Sequence, residues 1–354
     1  MAGGIGSRFW PISRTTYPKQ FIDILGLGKS LLQLTYNRFL KLCPPENILV
    51  VTNDSYLEMV REQLPALSSD QILLEPARRN TAPCVAYASY KILAKNPSAR
   101  IVVSPADHII LKEPTFVKAI HACFRKASEM DCLVTLGIKP SRPDTGYGYI
   151  QFVTSPESEK DPRIKKVKTF TEKPDLDMAR FFVASGDFLW NSGIFVFSAS
   201  SIVNAFARYM PETDVLFREG LDLYWTPDEA RFIRKVYEVV KNISIDYAIM
   251  EKAANVYVRS SIIGWSDLGT WGSLYDHTPK DPSGNAVINK NALVYSASGN
   301  IISAPKKKLV VIEGLKNLIV VDTDDVLLIC DRKNEQQIRQ FVNDVKIEKG
   351  DRYI

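Results

Sequence analysis

Arg100-Ile-Val-Val-Ser-Pro-Ala-Asp-His108 is a short β-branched run that stops at a proline and leaves an aspartate just past its end. A run this short, closed by a turn signal, predicts a buried strand over 100–104. Ahead of it, Ala82 to Ala94 is rich in alanine and tyrosine and predicts a helix. Behind it, Phe116 to Met130 predicts a second helix and Leu133 to Ile138 a second strand. Toward the N-terminus the same rhythm continues, with helical periodicity from Ser30 to Leu42, a β-branched run from Ile48 to Thr52 and a helical stretch from Tyr56 to Leu64. Strands that alternate with helices predict an α/β fold, a doubly wound, mostly parallel, Rossmann-like sheet with helices on both faces. Ligands in such a sheet lie beyond the carboxyl ends of the strands, which is where Asp107 stands.

The texture changes after His277-Thr-Pro-Lys-Asp-Pro-Ser-Gly284. Short strand-like pieces follow at Leu293 to Ser296, Asn300 to Ser303, Lys308 to Ile312, Leu318 to Val321 and Val326 to Cys330, separated by Gly, Asn and Asp turns. An amphipathic helix from Glu335 to Val345 comes last. A chain of 354 residues is longer than one core usually supports. The expected division is a catalytic domain over 1–280 and a small β-rich domain over 281–354.

Composition narrows the class. The chain is 45% hydrophobic and 24% charged, as an ordinary globular protein is. Its net charge of +5, spread over 45 basic and 40 acidic residues, is too small and dispersed to argue for nucleic acid, and a site for anionic phosphates accounts for it equally well. The five cysteines are odd in number and include no C-x-x-C pair, which reads as free thiols in a reducing compartment. The three histidines are scattered and make no metal cluster. No apolar run reaches the roughly 18 residues that span a bilayer, and no signal-peptide pattern is present. The expected location is the cytoplasm, away from membranes.

The chemistry begins with Ala2-Gly-Gly-Ile-Gly-Ser-Arg8. Gly3, Gly4 and Gly6 let backbone N–H groups approach phosphate oxygens, and Arg8 adds a cationic fork. Alone, the motif is weak, since a flexible glycine-rich terminus looks the same. A Rossmann G-x-G-x-x-G would need a third glycine where Phe9 stands, and Gly28-Lys29-Ser30 lacks the earlier glycine of a P-loop, where the chain has Asp23. Lys29 therefore reads as an ordinary loop lysine. The continuation through Trp10-Pro11 to Pro18-Lys-Gln-Phe21 strengthens the motif, because Lys19 adds a second cation fit for a triphosphate.

Asp107 and, in Gly264-Trp-Ser-Asp267, Asp267 are two separated carboxylates that suit Mg²⁺, which takes one or two carboxylates plus substrate oxygens. A lone turn aspartate would more often cap local N–H groups. Further polar islands are Thr145-Gly-Tyr-Gly-Tyr149, with aromatic faces for a sugar or base, Phe170-Thr-Glu-Lys-Pro174, with Glu172 beside Lys173, and Leu189-Trp-Asn-Ser-Gly193, with Asn191 among aromatics. The string Leu74-Glu-Pro-Ala-Arg-Arg-Asn-Thr-Ala-Pro83 ends at a helix start, where Asn80 or Thr81 can cap. Capping explains one polar residue of that string, not all of them.

In this order the islands resemble the sugar-nucleotide pyrophosphorylases and, within them, the mannose-1-phosphate guanylyltransferases, over nearly the whole chain. Ser244-Ile-Asp-Tyr247 and Met250-Glu-Lys252 complete the pattern. The resemblance implies that mannose 1-phosphate and GTP give GDP-mannose and pyrophosphate, with Mg²⁺ as cofactor. It places Ala2, Gly3, Gly4, Gly6, Ser7, Arg8 and Lys19 on the triphosphate, Glu75, Asn80, Thr81 and Ala82 near the guanine, and Pro105 and Asp107 on the nucleotide. It gives the metal to Asp107 and Asp267, and contacts with the sugar phosphate to Gly146, Tyr147, Glu172, Lys173, Asn191 and Asp246. It implies a left-handed β-helix-like C-terminal domain and a homodimer. Two departures stand beside the base pocket: Arg78, where the family usually has glycine, and Cys84, where it usually has alanine. The isomerase domain of longer relatives is not expected, for want of its length and histidines.

Two other readings compete. One keeps the chemistry with another nucleoside triphosphate and sugar 1-phosphate. The other is a catalytically silent regulatory homologue, which should have lost some of Arg8, Lys19, Asp107, Lys173 and Asp267, yet all five are present. A phosphate cradle of this kind should follow the first strand of its sheet, and Met1 leaves no room for one. A segment of roughly 5 to 10 residues ahead of Met1 is the expectation.

Overall fold

The structure, a computed structural model, describes residues 1–4, 6–153, 161–288 and 291–354. These form two compact units drawn from interleaved segments. The first contains Met1–Gly3, Arg38–Pro105 and Ile110–Trp265; the second contains Gly4–Asn37, Ala106–Ile109 and Ser266–Ile354.

Strands β1 (Val50–Asn53), β2 (Ile72–Glu75) and β3 (Arg100–Val103) open the first unit, and β4 (Ile109–Ile110) is a two-residue piece at a segment end. Then come β5 (Leu133–Ile138), β6 (Gly148–Phe152), β7 (Ile164–Glu172), β8 (Phe188–Ser198) and β9 (Val256–Ser260), with the short β10 (Trp265–Ser266) last. β1 and β2 pair in parallel. Six strands form the main sheet in the order β3-β8-β5-β9-β7-β6.

Within that sheet β5 and β9 pair in parallel, while β8 runs antiparallel to β3, β5 and β6, and β7 antiparallel to β9 and β6. The strands β3, β5, β6 and β9 thus share one direction. The reversed strands β8 and β7 lie between them, so most neighbouring ladders of this sheet are antiparallel. The expected α/β sheet is present; its parallel pairing is refined by these two insertions. The segment that forms β8 signals only a polar island in sequence, and nothing local in it encodes direction.

Side-chain alternation explains the two faces. Leu133, Phe195 and Phe197 join one core with Val85, Tyr90 and Phe206, while Val134, Ile194 and Val196 join another with Phe116, Ile120 and Cys123. Helix Thr81–Lys95 thereby covers one face and helix Glu113–Glu129 the other. The first starts at Asn80, whose side chain accepts from Thr81 N, and the second has proline in its first turn.

The second unit carries β11 (Ala286–Val287), β12 (Ala292–Tyr295), β13 (Ile301–Ser303), β14 (Val310–Glu313), β15 (Leu318–Asp322) and β16 (Leu327–Asp331). Parallel rungs β11-β13-β15 form one ladder, β12-β14 a second, and β16 closes the first in antiparallel. Asparagines staple successive coils: Asn300 Nδ2 donates to Asn285 Oδ1 at 2.8 Å, and Leu318 N donates to Asn300 Oδ1 at 2.9 Å. Helix Ile338–Lys349 is followed only by a 3₁₀ turn at Asp351–Tyr353, and Ile338 is fully buried in a core that holds Phe9, Trp10 and Trp271.

Among the described residues all five cysteines are free, and no helix is long and apolar enough to cross a membrane.

Candidate active site

The glycine loop is shared between the units, with Ala2 and Gly3 in the first and Gly4 onward in the second. In the first unit Ala2 N donates to Val51 O at 2.7 Å, and Thr52 Oγ1 donates to Ala2 O at 2.9 Å, so this end is pinned to β1. Met1 N donates to Ser104 O, beside Pro105 at the end of β3.

In the second unit Ser7–Phe9 forms a 3₁₀ turn, and Lys19, only 3% exposed, lies beneath the loop. Its Nζ donates to Asp107 Oδ2 at 3.1 Å and to the carbonyl of Asp267 at 2.5 Å. Three residues distant in sequence, each expected at the site, are therefore joined through one ammonium. Burial alone would raise the Asp107 carboxyl, but the charges of Lys19 and His108 and the Lys19 hydrogen bond hold it down at about 2. It is an anion at any working pH. Asp267 Oδ1 accepts from Gly269 N at 2.9 Å. A Cβ on Gly269 would stand 2.5 Å from Asp267 Oδ2 and 3.2 Å from Arg8 Nη1, so the carboxylate and the guanidinium flank this glycine. Arg8 Nε is buried without a partner.

Gly6 has φ +68°, and a Cβ there would lie 2.5 Å from Lys19 Cβ. Gly4 differs, because nothing lies within 4 Å of its would-be Cβ. The two glycines separate fold from function. Gly6→Ala is expected to lower stability by about 1–2 kcal/mol and to displace Lys19. Gly4→Ala should leave the melting temperature unchanged within about 0.5 kcal/mol and still raise the KM for the nucleotide, since its methyl would meet only a ligand. Thermal unfolding with initial rates checks both; a Gly4→Ala protein of normal KM would remove Gly4 from the cradle.

Glu75 ends β2 at 7% exposure in the first unit, and Tyr237 OH donates to its Oε1 at 2.8 Å. The other oxygen faces Gly3, where a Cβ would stand 3.4 Å away. Burial raises the Glu75 carboxyl to about 7, against the Tyr237 hydrogen bond, which lowers it. The folded value lies above the unfolded one of about 4.3, so this stability is full below that value and lost as pH rises through 7, a change of about 4 kcal/mol. Melting curves of Glu75→Gln and the parent should coincide near pH 4 and part by pH 8 in favour of the variant. Parallel curves would contradict the assignment.

The polar string after Glu75 has structural employment. Asn80, at φ +66°, caps helix Thr81–Lys95; Thr81 Oγ1 accepts from Ile245 N at 2.9 Å, and Ala82 N donates to Ile243 O at 3.1 Å. Arg79 donates to the carbonyls of Tyr237 and Glu238 at a helix end, and Arg78 pairs with Tyr56 OH. One cap does not have to account for the whole string, because each residue ties down a different segment.

Asn191, Glu172, Lys173, Tyr147 and Asp246 gather in the first unit around β6, β7 and β8. Asn191 Nδ2 donates to Asp246 Oδ1 at 2.8 Å, while its Oδ1 accepts from Gly193 N at 3.1 Å and from Thr135 Oγ1 at 3.2 Å, which fixes the amide's orientation. Lys173, at φ +48°, bonds Glu172 Oε1 at 2.7 Å, and its N donates to Tyr147 O. A Cβ at Gly148 would come within 2.3 Å of Glu172 Oε2 and would push that carboxylate aside. Tyr147 packs edge-on to Trp190 and Trp265, with centroids 4.9 and 5.3 Å away, and Gly146 N donates to Asp144 Oδ1. Burial first, and then the Glu172 charge, raise the Asp246 carboxyl to about 6.

Sequence reasoning missed Tyr237 and Thr135, which orient Glu75 and Asn191 from distant segments and carry no motif. Lys29 sits in an ordinary loop, as its sequence setting implies: Asp23 accepts from Leu27 N and Gly28 N and closes a plain turn.

In the second unit, a glycine loop over a buried lysine with two aspartates past strand ends offers main-chain donors and charges to an anionic ligand. The chain belongs to the nucleotidyl transferase family, which matches residues 1–284. Within it the chain falls among the mannose-1-phosphate guanylyltransferases. The protein of that name from Salmonella montevideo is 39% identical over 366 residues, spanning 100% of this chain and 74% of that protein. Its Escherichia coli namesake is 37% identical over 359 residues, with the same coverage. Residues 290–345 match the MannoseP isomerase/GMP-like beta-helix domain. A solved structure from Thermus thermophilus, described as a mannose-1-phosphate geranyltransferase, superposes with TM-score 0.87 at 29% identity over 98% of each chain.

Proposed function

We propose that this chain transfers GMP from GTP to α-D-mannose 1-phosphate, releasing GDP-mannose and pyrophosphate. The observation that carries the reading is buried Lys19, bound at once to Asp107 and to the main chain of Asp267 beneath a glycine loop. Full-length likeness to guanylyltransferases supports the substrates. Transfer belongs to residues 1–280, with 281–354 as a second domain. The free thiols agree with a cytoplasmic protein.

The attacking group is a sugar-phosphate oxygen, already an anion, so no covalent enzyme intermediate is required. The protein's tasks are to hold two anions and to stabilise the charge that grows on the α-phosphoryl oxygens. Arg8 and Lys19 neutralise the triphosphate and the departing pyrophosphate. Lys173 holds the attacking phosphate, and its exposed ammonium is free to exchange Glu172 for a dianion. Asn191 and Asp246 present an amide donor and a carboxylate acceptor to sugar hydroxyls, and Glu75 accepts from the base.

Among the described residues no three His, Cys, Asp and Glu side chains gather as a metal cluster. Asp107 and Asp267 nonetheless fit Mg²⁺, since hard oxygen donors are present and substrate oxygens and water can complete the set. When bound, Mg²⁺ neutralises phosphate charge and aligns the leaving group.

The reading is tested by incubating the protein with GTP, mannose 1-phosphate and magnesium and identifying the products by mass. GDP-mannose and pyrophosphate in equal amounts are expected; GTP hydrolysis without a sugar nucleotide would reject it. GTP stereochemically labelled at the α-phosphorus should react with inversion, and retention would reveal a covalent intermediate. Light scattering of the same preparation reads the expected homodimer, which a monomer would contradict.

A further inference from the structure

The terminal helix Ile338–Lys349 is docked on the phosphate loop within the second unit. Ile338 is fully buried with Phe9 and Trp10, and Phe341, Val342 and Val345 pack against the same core. Two polar anchors fix the segments on either side of the helix. Glu335 Oε2 accepts from Gly272 N at 2.6 Å, and Trp10 Nε1 donates to Tyr353 O at 2.7 Å. The helix therefore cannot drift from the Ser7–Phe9 turn or from the segment that carries Asp267.

On this helix, next to Ile338, stands Arg339, an exposed residue. Burial of part of its side chain, and then the charge of Arg8, lower its proton affinity. The two guanidinium groups feel each other, and neither forms an ion pair with a carboxylate among the described residues. Arg8 Nε, moreover, is buried without an acceptor. Packing that brings two like charges near each other, neither held in an ion pair, leaves a repulsion that a bound anion would relieve. Guanidinium forks match phosphate oxygens in pairs.

We propose that Arg339 is a further phosphate-binding residue, which forms with Arg8 a paired cationic site for the pyrophosphate moiety of the nucleotide. The proposal rests on the nucleotidyl-transfer reading and extends it, because it brings a side chain of the C-terminal domain to the leaving group. No other residue of 281–354 has a part in the chemistry proposed above.

The test is pyrophosphate binding to the whole chain by titration calorimetry with magnesium, alongside steady-state kinetics. Arg339→Ala should weaken pyrophosphate binding roughly tenfold or more, as loss of a charged hydrogen bond does. It should raise the KM for GTP and leave the KM for the sugar phosphate and the melting temperature unchanged. Arg339→Lys should recover part of the loss, and Arg339→Gln, which keeps a long polar stem, should behave as the alanine variant does. Parent-like pyrophosphate affinity in the alanine and glutamine variants would overturn the proposal and leave the nucleotidyl-transfer reading standing. Equal rises in both KM values with a lower melting temperature would also overturn it, by revealing a structural role. A parent protein that binds neither GTP nor pyrophosphate would remove the proposal together with the reading beneath it.

Discussion

Asp107→Asn is expected to lower kcat about a hundredfold or more at saturating magnesium and to raise the magnesium concentration needed for half-maximal rate. The side chain keeps its shape in this variant and loses its charge. That charge is secure in the parent, since Lys19 and His108 hold the carboxyl at about 2 despite burial. An amide in its place still accepts from Lys19 but offers no anionic oxygen to a metal. Misplacing one charge aimed at the transferring phosphoryl group costs about 3 kcal/mol, which sets the size of the effect. Stability should also fall at neutral pH, because the charge that Lys19 and His108 stabilise is gone, and the loss should vanish as pH falls through 2. Titration of the rate with magnesium distinguishes this outcome from a purely structural one. A variant with near-normal turnover and an unchanged magnesium requirement would show that Asp107 does not serve the metal.

Lys19→Met is expected to be equally severe in rate and more severe in stability. The ammonium is the common partner of Asp107 and the Asp267 carbonyl, and it is almost fully buried. Methionine fills similar volume and leaves both oxygens without their donor, at about 1–3 kcal/mol for each acceptor left buried. The loss has a signature in pH. Asp107 in the parent has a folded value below its unfolded one, so its contribution is present above about 4 and lost as pH falls through 2. Without Lys19 the carboxyl rises and that acid-side loss moves to higher pH, which unfolding curves between pH 2 and 5 would record. The double variant with Asp107→Asn should be far less damaged than the two single losses multiplied, because both residues act through one contact. Strict multiplicativity would show that the pair does not work as a unit.

Local periodicity carried most of the fold. Leu133–Ile138 is buried on both faces and its apolar stretch is bounded by Asp131 and Lys139, so its limits are read from hydropathy, and the structure has the same strand. The short coils after 290 were equally plain, each marked by a turn residue. Strand direction was not legible. Phe188–Ser198 is reversed against its neighbours, and direction is decided by how the chain returns, not by any residue in it. The interleaving of segments between the compact units was hidden for the same reason. Chain order places Gly4–Asn37 beside Arg38, whereas compactness places it with Ser266–Ile354.

The site divides along the same line. Glycines, buried cations and strand-end aspartates announce themselves, because few structural duties require them in such company. The contacts that give those residues roles are long-range and silent in sequence. Lys19 and Asp107 are separated by 88 positions, and Glu75 and Tyr237 by 162. Arg339 lies in a helix whose pattern signals only packing. The string Arg79-Asn-Thr has structural duties that its pattern did not announce. Beside the ligand-binding reading it invites, Asn80 and Thr81 secure a helix start and Arg79 braces a neighbouring helix end.

Substrate selectivity is the most direct test of the central claim. The measurement is pyrophosphate release by the purified chain with magnesium, as kcat/KM over a panel of GTP, ATP, UTP and dTTP against mannose, glucose and galactose 1-phosphates. GTP with mannose 1-phosphate is expected to be preferred over every other pair, and release is expected to require both substrates together. A higher kcat/KM for another nucleotide or sugar, or no release with any pair, would contradict that claim.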